Sequence, residues 1–183
     1  MSCRSAIIID NFLPQEQFSD ISLKVEKSSN YTNGQFAELR DELWEETYTL
    51  VFDRLKEIGL YQLHFDESIK LFGYNQYRPK SYGHGNMYGP HIDNGGYVFY
   101  IHPHWDESWG GELKITNAVE EEYRNGIFAK PNRFIWIDPS TFHDVTSTSP
   151  NISHSRVANI AFLGGEINID PIKTDFINIF TTH

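Results

Sequence analysis

Hydrophobic residues in the first third of the chain recur at every third or fourth position, which is the spacing of one face of an α-helix. Three residues that follow Pro14 share such a face: Phe18, Ile21 and Val25. Since proline suits the first turn of a helix, they predict a helix over about 14–28. A broader apolar stripe between charged positions predicts a longer helix over about 36–58, ended by Gly59. We expect both helices to cover the outside of a sheet.

From about residue 69 onward the hydrophobic spacing shortens, and turn-forming residues separate short runs rich in β-branched and aromatic residues. These runs predict five strands, at 97–102, 112–116, 133–137, 142–146 and 156–163. Helices followed by many short strands predict an α+β fold whose strands form a sandwich or jelly roll. We expect a single domain over 1–183, with a helical part over about 1–60 and a jelly-roll core over about 69–165.

The composition is that of an acidic globular protein, and it excludes several kinds of site. The formal net charge is −10 and no run of Lys or Arg occurs, which argues against nucleic-acid binding. Cys3 is the only cysteine in the sequence, so any metal must use nitrogen and oxygen ligands. The apolar stretches are too short for a signal peptide or a membrane span. We therefore expect a cytoplasmic protein without a membrane partner, while its oligomeric state stays open.

Two histidines and one aspartate have the residue types and the spacing of an iron site. In His91-Ile92-Asp93 an extended backbone would point the imidazole and the carboxylate the same way, toward one ion. His143 follows a turn at the start of another predicted strand. Two imidazoles and one carboxylate occupy one face of a six-coordinate Fe(II) and leave the opposite face open. Each piece alone is weak evidence, because His-x-Asp is common by chance and a lone histidine is more often a surface or core residue.

Arg156 begins a predicted strand in which alternate positions should face the interior. The residues that share this face are Arg156, Ala158, Ile160 and Phe162. An arginine at the head of an apolar face needs an anionic partner, because an unpaired buried charge costs several kcal/mol. The carboxylate of a bound ligand would supply that partner as a bidentate pair.

These two histidines, the aspartate and the arginine together resemble the Fe(II)/2-oxoglutarate-dependent dioxygenases, in particular the prolyl 4-hydroxylase-like branch. The segment 97–113, which ends in Gly-Gly-Glu-Leu, is similar to the strand and loop that follow the His-x-Asp motif in that branch. The segment 130–139 is similar to the strand that leads to the distal histidine. The resemblance covers about 74–162.

The resemblance implies a double-stranded β-helix, or jelly roll, with the N-terminal helices packed on the outer face of its major sheet. It implies that His91, Asp93 and His143 bind iron and that Arg156 binds the distal carboxylate of 2-oxoglutarate. The implied reaction hydroxylates a C–H bond with Fe(II), 2-oxoglutarate and O2, and ascorbate is a candidate reductant. Asp93 argues against halogenation, because halogenating relatives have a small residue in that place.

Three tyrosines match pocket positions of the same branch. Tyr100 matches a tyrosine that helps to bind the distal carboxylate of the cosubstrate. Tyr88 and Tyr77 match aromatic positions that line the cosubstrate and substrate pocket. Plain core packing is the alternative for each of the three.

The chain departs from the branch in two places. The interval between the distal histidine and the arginine is longer than is common, and its part 147–155 is polar enough to form an extra loop. Phe162 stands where some relatives have a tryptophan, which would change the shape of the pocket near the iron.

The resemblance favours a prolyl residue of a peptide or protein as the substrate. A free amino acid or another small molecule is the alternative, because similar scaffolds act on both. The non-enzyme alternative is a jelly-roll binding module that keeps the metal without catalysis. The complete ligand set argues against that module, because structural metal sites tend to fill their coordination sphere with protein groups.

The remaining polar and aromatic residues of the motif region have plainer expected roles. His102 and His104 form a His-x-His pair, but the proline between them favours a surface loop over a second metal site. Trp105 and Trp109 would either form part of a lid or cap the barrel. Asp144 is expected to hydrogen-bond to a metal ligand or to face solvent, and not to bind the metal itself, because Asp93 already supplies the carboxylate.

Overall fold

The structure, a computed structural model of the chain, describes residues 6–27, 42–60, 72–77, 95–115, 125–137, 141–149, 152 and 155–162. Helix α1 spans Gln15–Lys27, which confirms the predicted first helix. Helix α2 spans Glu42–Glu57, inside the predicted range 36–58, whose beginning lies outside the described residues. Both helices carry acidic residues in the first turn and basic residues in the last, as the helix dipole favours. Gly59 ends α2 at a φ of 77°, in the left-handed region that glycine adopts without strain.

Seven strands and one short 3-10 helix at Glu107–Trp109 make up the rest of the described structure. The strands are β1 Ala6–Ile9, β2 Phe72–Tyr77, β3 Gly96–Tyr100, β4 Leu113–Ile115, β5 Phe134–Ile137, β6 His143–Val145 and β7 Arg156–Phe162. Five of them form an antiparallel sheet in the order β1-β5-β3-β7-β2, and β4 pairs antiparallel with β6. The five predicted strands are confirmed as β3 to β7, with ends that differ by at most two residues.

The alternation of side chains along the strands divides the core into two clusters on opposite faces of the five-stranded sheet. On one face, Tyr97 and Val157 belong to a cluster that also contains buried residues of both helices. On the other face, Tyr100 and Ala158 belong to a cluster that contains residues of β4 and of the loops beside it. Arg156 lies two positions before Ala158 on the same strand, and it therefore belongs to the face directed away from the helices.

Strands β1 and β2 were not predicted from the sequence, because neither shows the alternation of apolar and polar residues that is typical of a strand. The four residues Ala6–Ile9 form a continuous apolar run, which periodicity alone cannot assign. The six residues Phe72–Tyr77 mix glycine and polar residues with aromatic ones, so they form no clear apolar alternation. Both strands are held at the edges of the sheet by backbone pairing, β1 to β5 and β2 to β7.

The N-terminal strand is fastened to the sheet by an ion pair and by a pair of amide hydrogen bonds. Arg133 donates from Nε to Asp10 at 2.6 Å and from Nη2 to the other carboxylate oxygen at 3.0 Å. Asn132 accepts from the backbone N–H of Leu13 and donates to its carbonyl, each at 2.9 Å. These contacts fix the entry into α1. Neither described helix has the length and apolar character required to cross a membrane.

Candidate functional site

Arg156 occupies the first position of β7 and is almost completely buried, with 2% of its surface exposed. On one side its backbone pairs with Tyr77 at the end of β2. Its side chain points to the face of the sheet that is opposite the helices, where the next residues on the same face are Ala158 and Ile160. The expected placement of an arginine at the head of an apolar face is thus confirmed.

The guanidinium of Arg156 is oriented by Tyr100. Its Nη2 donates to the hydroxyl oxygen of Tyr100 at 2.9 Å, and its central carbon lies 4.9 Å from the centroid of the tyrosine ring. Tyr100 is itself fully buried at the end of β3, across the ladder from Ala158. The charge of the guanidinium is therefore held against a ring face and a hydroxyl, a geometry that stabilises a cation away from water.

Two consecutive glycines make room for this arginine. A Cβ atom on Gly111 would lie 2.9 Å from Cδ of Arg156 and 3.1 Å from the methyl carbon of Thr148. A Cβ atom on Gly110 would lie 2.5 Å from the carbonyl oxygen of Ser147. Both glycines also have a positive φ, of 72° and 75°, which other residues adopt at a cost. The Gly-Gly pair therefore lets the β4 strand approach close enough to enclose the arginine side chain.

His143 begins β6 and is buried, opposite Ile115 of β4. Its Nδ1 lies 3.0 Å from the carbonyl oxygen of Thr141. Because a carbonyl can only accept a hydrogen bond, Nδ1 carries the proton and the lone pair of the neutral ring is on Nε2. A backbone carbonyl that holds one ring nitrogen is the usual support of a metal-binding histidine. The imidazole of His143 thus meets the requirements for an iron ligand.

The remaining predicted site residues are not described by the structure. His91, Asp93 and Tyr88 lie outside the described residues, and Tyr77 is described only as a backbone position of β2. Within the described part of the chain, no three His, Cys, Asp or Glu side chains come together in a way that could hold a metal ion. The structure therefore brings together Arg156 and Tyr100, and it places His143 on the neighbouring two-stranded sheet.

His102 is buried, so the prediction of a surface loop is wrong for this residue. Its Nε2 lies 2.8 Å from the carbonyl oxygen of Ala129, and its Nδ1 accepts from the backbone N–H of Val157 at 3.2 Å. The backbone continues to pair beyond β3, since the N–H of Ile101 donates to the carbonyl of Val157 at 3.0 Å. This pairing carries the side chain into the interior, while His104 is exposed as predicted. The apolar strand run that precedes His102 was the signal for its burial.

Burial also decides the charge of His102. Desolvation lowers the pKa of its imidazole from 6.5 to about 3, against the opposing effect of the hydrogen bond to Ala129, and the positive charge of Arg156 adds to the lowering. The ring is therefore neutral at physiological pH. It cannot add a second positive charge beside the guanidinium.

The two tryptophans in the loop after β3 pack as core residues. Trp105 is buried and donates from its indole N–H to the carbonyl of Gly110 at 2.9 Å. Trp109 is partly buried and meets Trp105 edge to face, with ring centroids 5.1 Å apart. Of the two alternatives, a lid or a cap, these contacts favour a cap, because they attach the loop to the glycine pair that encloses Arg156.

Part of the segment predicted as an extra loop is attached to the same region. Thr148 forms an isolated β-bridge with Gly110, and the N–H of Ser149 donates to the carbonyl of Trp109 at 2.7 Å. Ile152 is buried in the cluster beneath β4. The described residues of 147–155 are therefore held against the rest of the fold, although the interval between His143 and Arg156 is long.

Asp144 is half-buried on β6, and its buried Oδ1 has no hydrogen-bond partner among the described residues. It pairs across the ladder with Lys114, on the opposite face of the strand from His143. The expectation that Asp144 faces solvent is thus only partly confirmed, because the side chain is half-buried. The side chain of Phe162 lies outside the described residues.

Comparison with known proteins relates this geometry to a family. A family model described as the 2OG-Fe(II) oxygenase superfamily matches residues 72–164. A prolyl hydroxylase from Trichoplax adhaerens, solved with a peptide fragment of the hypoxia inducible factor oxygen degradation domain, is similar in structure with a TM-score of 0.57 and 19% identity. The similarity covers 87% of this chain and 83% of that one.

A Pseudomonas putida prolyl-4-hydroxylase is also similar, with a TM-score of 0.54 and 14% identity over 88% of each chain. No curated protein sequence matches the chain significantly. At these identities the solved structures establish a shared fold.

Proposed function

The chain belongs to the 2OG-Fe(II) oxygenase superfamily, and from this premise we propose that it uses Fe(II), 2-oxoglutarate and O2 to hydroxylate a C–H bond of a peptide or protein. The superfamily fold is a double-stranded β-helix, as predicted from the resemblance. In our proposal the five-stranded sheet is the major sheet, the β4–β6 pair is part of the minor sheet, and 1–183 form one domain. The helices then cover the outer face of the major sheet, consistent with the cluster that they share with it.

We propose that His143 binds iron together with His91 and Asp93. The tautomer of His143, set by the carbonyl of Thr141, supports this role because the ring nitrogen left without a proton is the one that a metal requires. Bound there, Fe(II) with 2-oxoglutarate and O2 would supply the oxidising power that no side chain has. The protein's own part is to orient the reactants and to keep water away.

The observation that carries the proposal is the buried guanidinium of Arg156. The planar fork of its N–H groups matches the two oxygens of a carboxylate, and burial in an apolar surrounding strengthens the attraction to an anion. Tyr100 orients that fork and offers its own hydroxyl beside it. We propose that these two residues bind the distal carboxylate of 2-oxoglutarate, while Tyr88 and Tyr77 line the pocket and ascorbate restores the reduced metal.

We further propose that the substrate is a prolyl residue in a peptide or protein. The same fold holds a peptide in the Trichoplax prolyl hydroxylase, which supports a substrate of this kind. The net charge of −10 favours a neutral or basic peptide over an acidic one, because the field of the protein would repel the latter. Hydroxylation of a free amino acid, and of no peptide, would replace this substrate class.

The test is an anaerobic titration of the protein with Fe(II) and 2-oxoglutarate, followed through the visible charge-transfer band of the 2-oxo acid bound to iron. A saturable band is expected, and its absence would refute the proposed cofactor chemistry. Incubation in air with a peptide library would then identify the substrate by the mass gain of one oxygen atom. Gain on free amino acids but on no peptide would refute the peptide assignment alone.

A further inference from the structure

His102 is held at both ring nitrogens by backbone groups, and these contacts determine its tautomer. The carbonyl of Ala129 can only accept, so Nε2 carries the proton and donates to it at 2.8 Å. Nδ1 then accepts from the N–H of Val157 at 3.2 Å. Nδ1 also lies 3.1 Å from the carbonyl of Val157, which already accepts from Ile101. The neutral ring thus satisfies one donor and one acceptor of the buried backbone.

The backbone groups that His102 holds are next to Arg156 and Tyr100, the pair that we propose to bind the carboxylate. Val157 follows Arg156 on β7, and Ile101 follows Tyr100 at the end of β3. The hydrogen bond from Ile101 to Val157 links the two strands at the same level. His102 therefore fixes the strand ends from which the guanidinium and the phenol project.

The ring of His102 also supports the pair from the side. It packs against the ring of Tyr100, with centroids 5.6 Å apart, and against the ring of Trp105, with centroids 5.2 Å apart. The indole of Trp105 donates to the carbonyl of Gly110, and the next residue, Gly111, leaves no room for a Cβ atom beside Cδ of Arg156. A shift of the His102 ring would therefore act on Tyr100 directly through the ring contact, and on Arg156 through the backbone of Val157.

We propose that His102 is a positioning residue that sets how Arg156 and Tyr100 present their donors to the distal carboxylate of the cosubstrate. On this basis it determines the preference of the site for a 2-oxo dicarboxylic acid over a 2-oxo monocarboxylic acid. The inference rests on the proposed function. It goes beyond that function by assigning selectivity to a residue that touches neither iron nor cosubstrate.

The test compares two ligands that differ only at the distal carboxylate, 2-oxoglutarate and 2-oxopentanoate, in anaerobic titrations of the iron-loaded protein. His102→Leu removes both hydrogen bonds and retains an apolar side chain. We expect it to weaken 2-oxoglutarate about ten-fold, the effect of about one lost hydrogen bond to a charged group, and to leave 2-oxopentanoate within about two-fold. His102→Gln keeps one donor and one acceptor, and it should recover most of the preference for the dicarboxylic acid.

His104→Leu is the matched control, since it removes the same side chain from the exposed position two residues later. It should change neither dissociation constant. If His102→Leu does not fold, the same titrations are made with His102→Asn, because its shorter amide can still reach Val157 but not Ala129. An approximately three-fold or larger loss of the preference is then expected.

Three outcomes separate the inference from the proposed function. Equal weakening of both acids would show that His102 acts only on stability, and this would overturn its positioning role. An unchanged preference in the variants would overturn it as well, while leaving the proposed function intact. Failure of the wild-type protein to bind 2-oxoglutarate would refute the proposed function, and the inference with it.

Discussion

Nη2 of Arg156 donates to the hydroxyl of Tyr100 at 2.9 Å, and the guanidinium lies over the ring of the same tyrosine. Two strands that are far apart in the sequence thus contribute one pair of buried residues, for which we propose carboxylate binding. A buried cation of this kind is preorganised, because the protein and not the ligand fixes its orientation.

Tyr100→Phe should weaken 2-oxoglutarate binding about ten-fold and leave kcat at saturating cosubstrate nearly unchanged, because in the proposed site the hydroxyl orients the guanidinium and donates to the carboxylate. The measurement is the dissociation constant for 2-oxoglutarate. Tyr97→Phe is the matched control, since its hydroxyl donates to Asn159 at 2.6 Å and belongs to the helix-facing cluster. Equal affinity in the Tyr100 variant and the wild type would contradict the assignment of this residue.

Gly111→Ala should both destabilise the protein and weaken 2-oxoglutarate. Its added Cβ would lie 2.9 Å from Cδ of Arg156 and must displace that side chain. Gly59→Ala is the control for backbone strain, because Gly59 has nearly the same φ, 77° against 75°, but no atom of the described residues lies within 4 Å of its Cβ position. We expect a loss of about 1 kcal/mol in the free energy of unfolding at Gly59 and more at Gly111. Unchanged cosubstrate affinity in Gly111→Ala would argue against the enclosure of Arg156.

His143→Ala should abolish stoichiometric iron binding at concentrations that saturate the wild type, since removal of one of the three proposed protein ligands would cost at least ten-fold in metal affinity. The measurement is bound Fe(II) per chain after anaerobic loading and gel filtration. His104→Ala removes an exposed imidazole and should bind as the wild type does. Full iron occupancy in the His143 variant would exclude this residue as a ligand.

Asp10→Asn should destabilise the protein by about 1–2 kcal/mol, because it removes the carboxylate that accepts from both Arg133 and Lys130. Burial would raise the pKa of Asp10, but the hydrogen bonds and charges of Arg133 and Lys130 outweigh it and hold the pKa below 3.8. Its contribution is therefore present above about pH 3.8 and is lost as the pH falls through the lowered pKa.

Urea unfolding at pH 7 and at pH 3 measures this effect. The difference in stability between wild type and Asp10→Asn should shrink at the lower pH. Asp20→Asn, on the exposed face of α1, should leave the unfolding midpoint unchanged at both. A difference that grows with acid would show that the sign of this linkage is wrong.

The buried neutral His102 predicts a separate loss of stability in acid. The pKa of His102 is about 3 in the folded protein against 6.5 ordinarily, so between these values the unfolded chain takes up a proton that the folded protein does not. Stability should therefore be unaffected above about pH 6.5 and fall below it, by roughly 1 kcal/mol per pH unit. Unfolding of His102→Gln measured from pH 7 to 4 should show a shallower slope. Equal slopes in the two proteins would contradict the neutral, buried imidazole.

The sequence was sufficient for elements whose hydrophobic period is strong. Helix α1 follows from a period of about 3.6, because it buries one face. Strands β3 to β7 follow from short runs of β-branched and aromatic residues between turn residues, although β3, β5 and β7 are buried on both faces. Strand β1 was not predicted, because its four apolar residues are too short a run for periodicity to assign. The superfamily followed from the resemblance of a few motif residues and their flanking segments, which is recognisable although the overall identity to the similar solved structures is only 14–19%.

What the sequence by itself determined is chemical: the types and order of the groups that could bind iron and a dicarboxylic acid, and the strand phase that turns Arg156 inward. What only the tertiary structure decided is which groups meet. It joined Tyr100 to Arg156, placed Gly111 against the arginine and carried His102 into the core. Local periodicity reports which way a side chain points, whereas the pairing of β3 with β7 and the packing of the following loop determine its partners, and those contacts lie far apart along the chain.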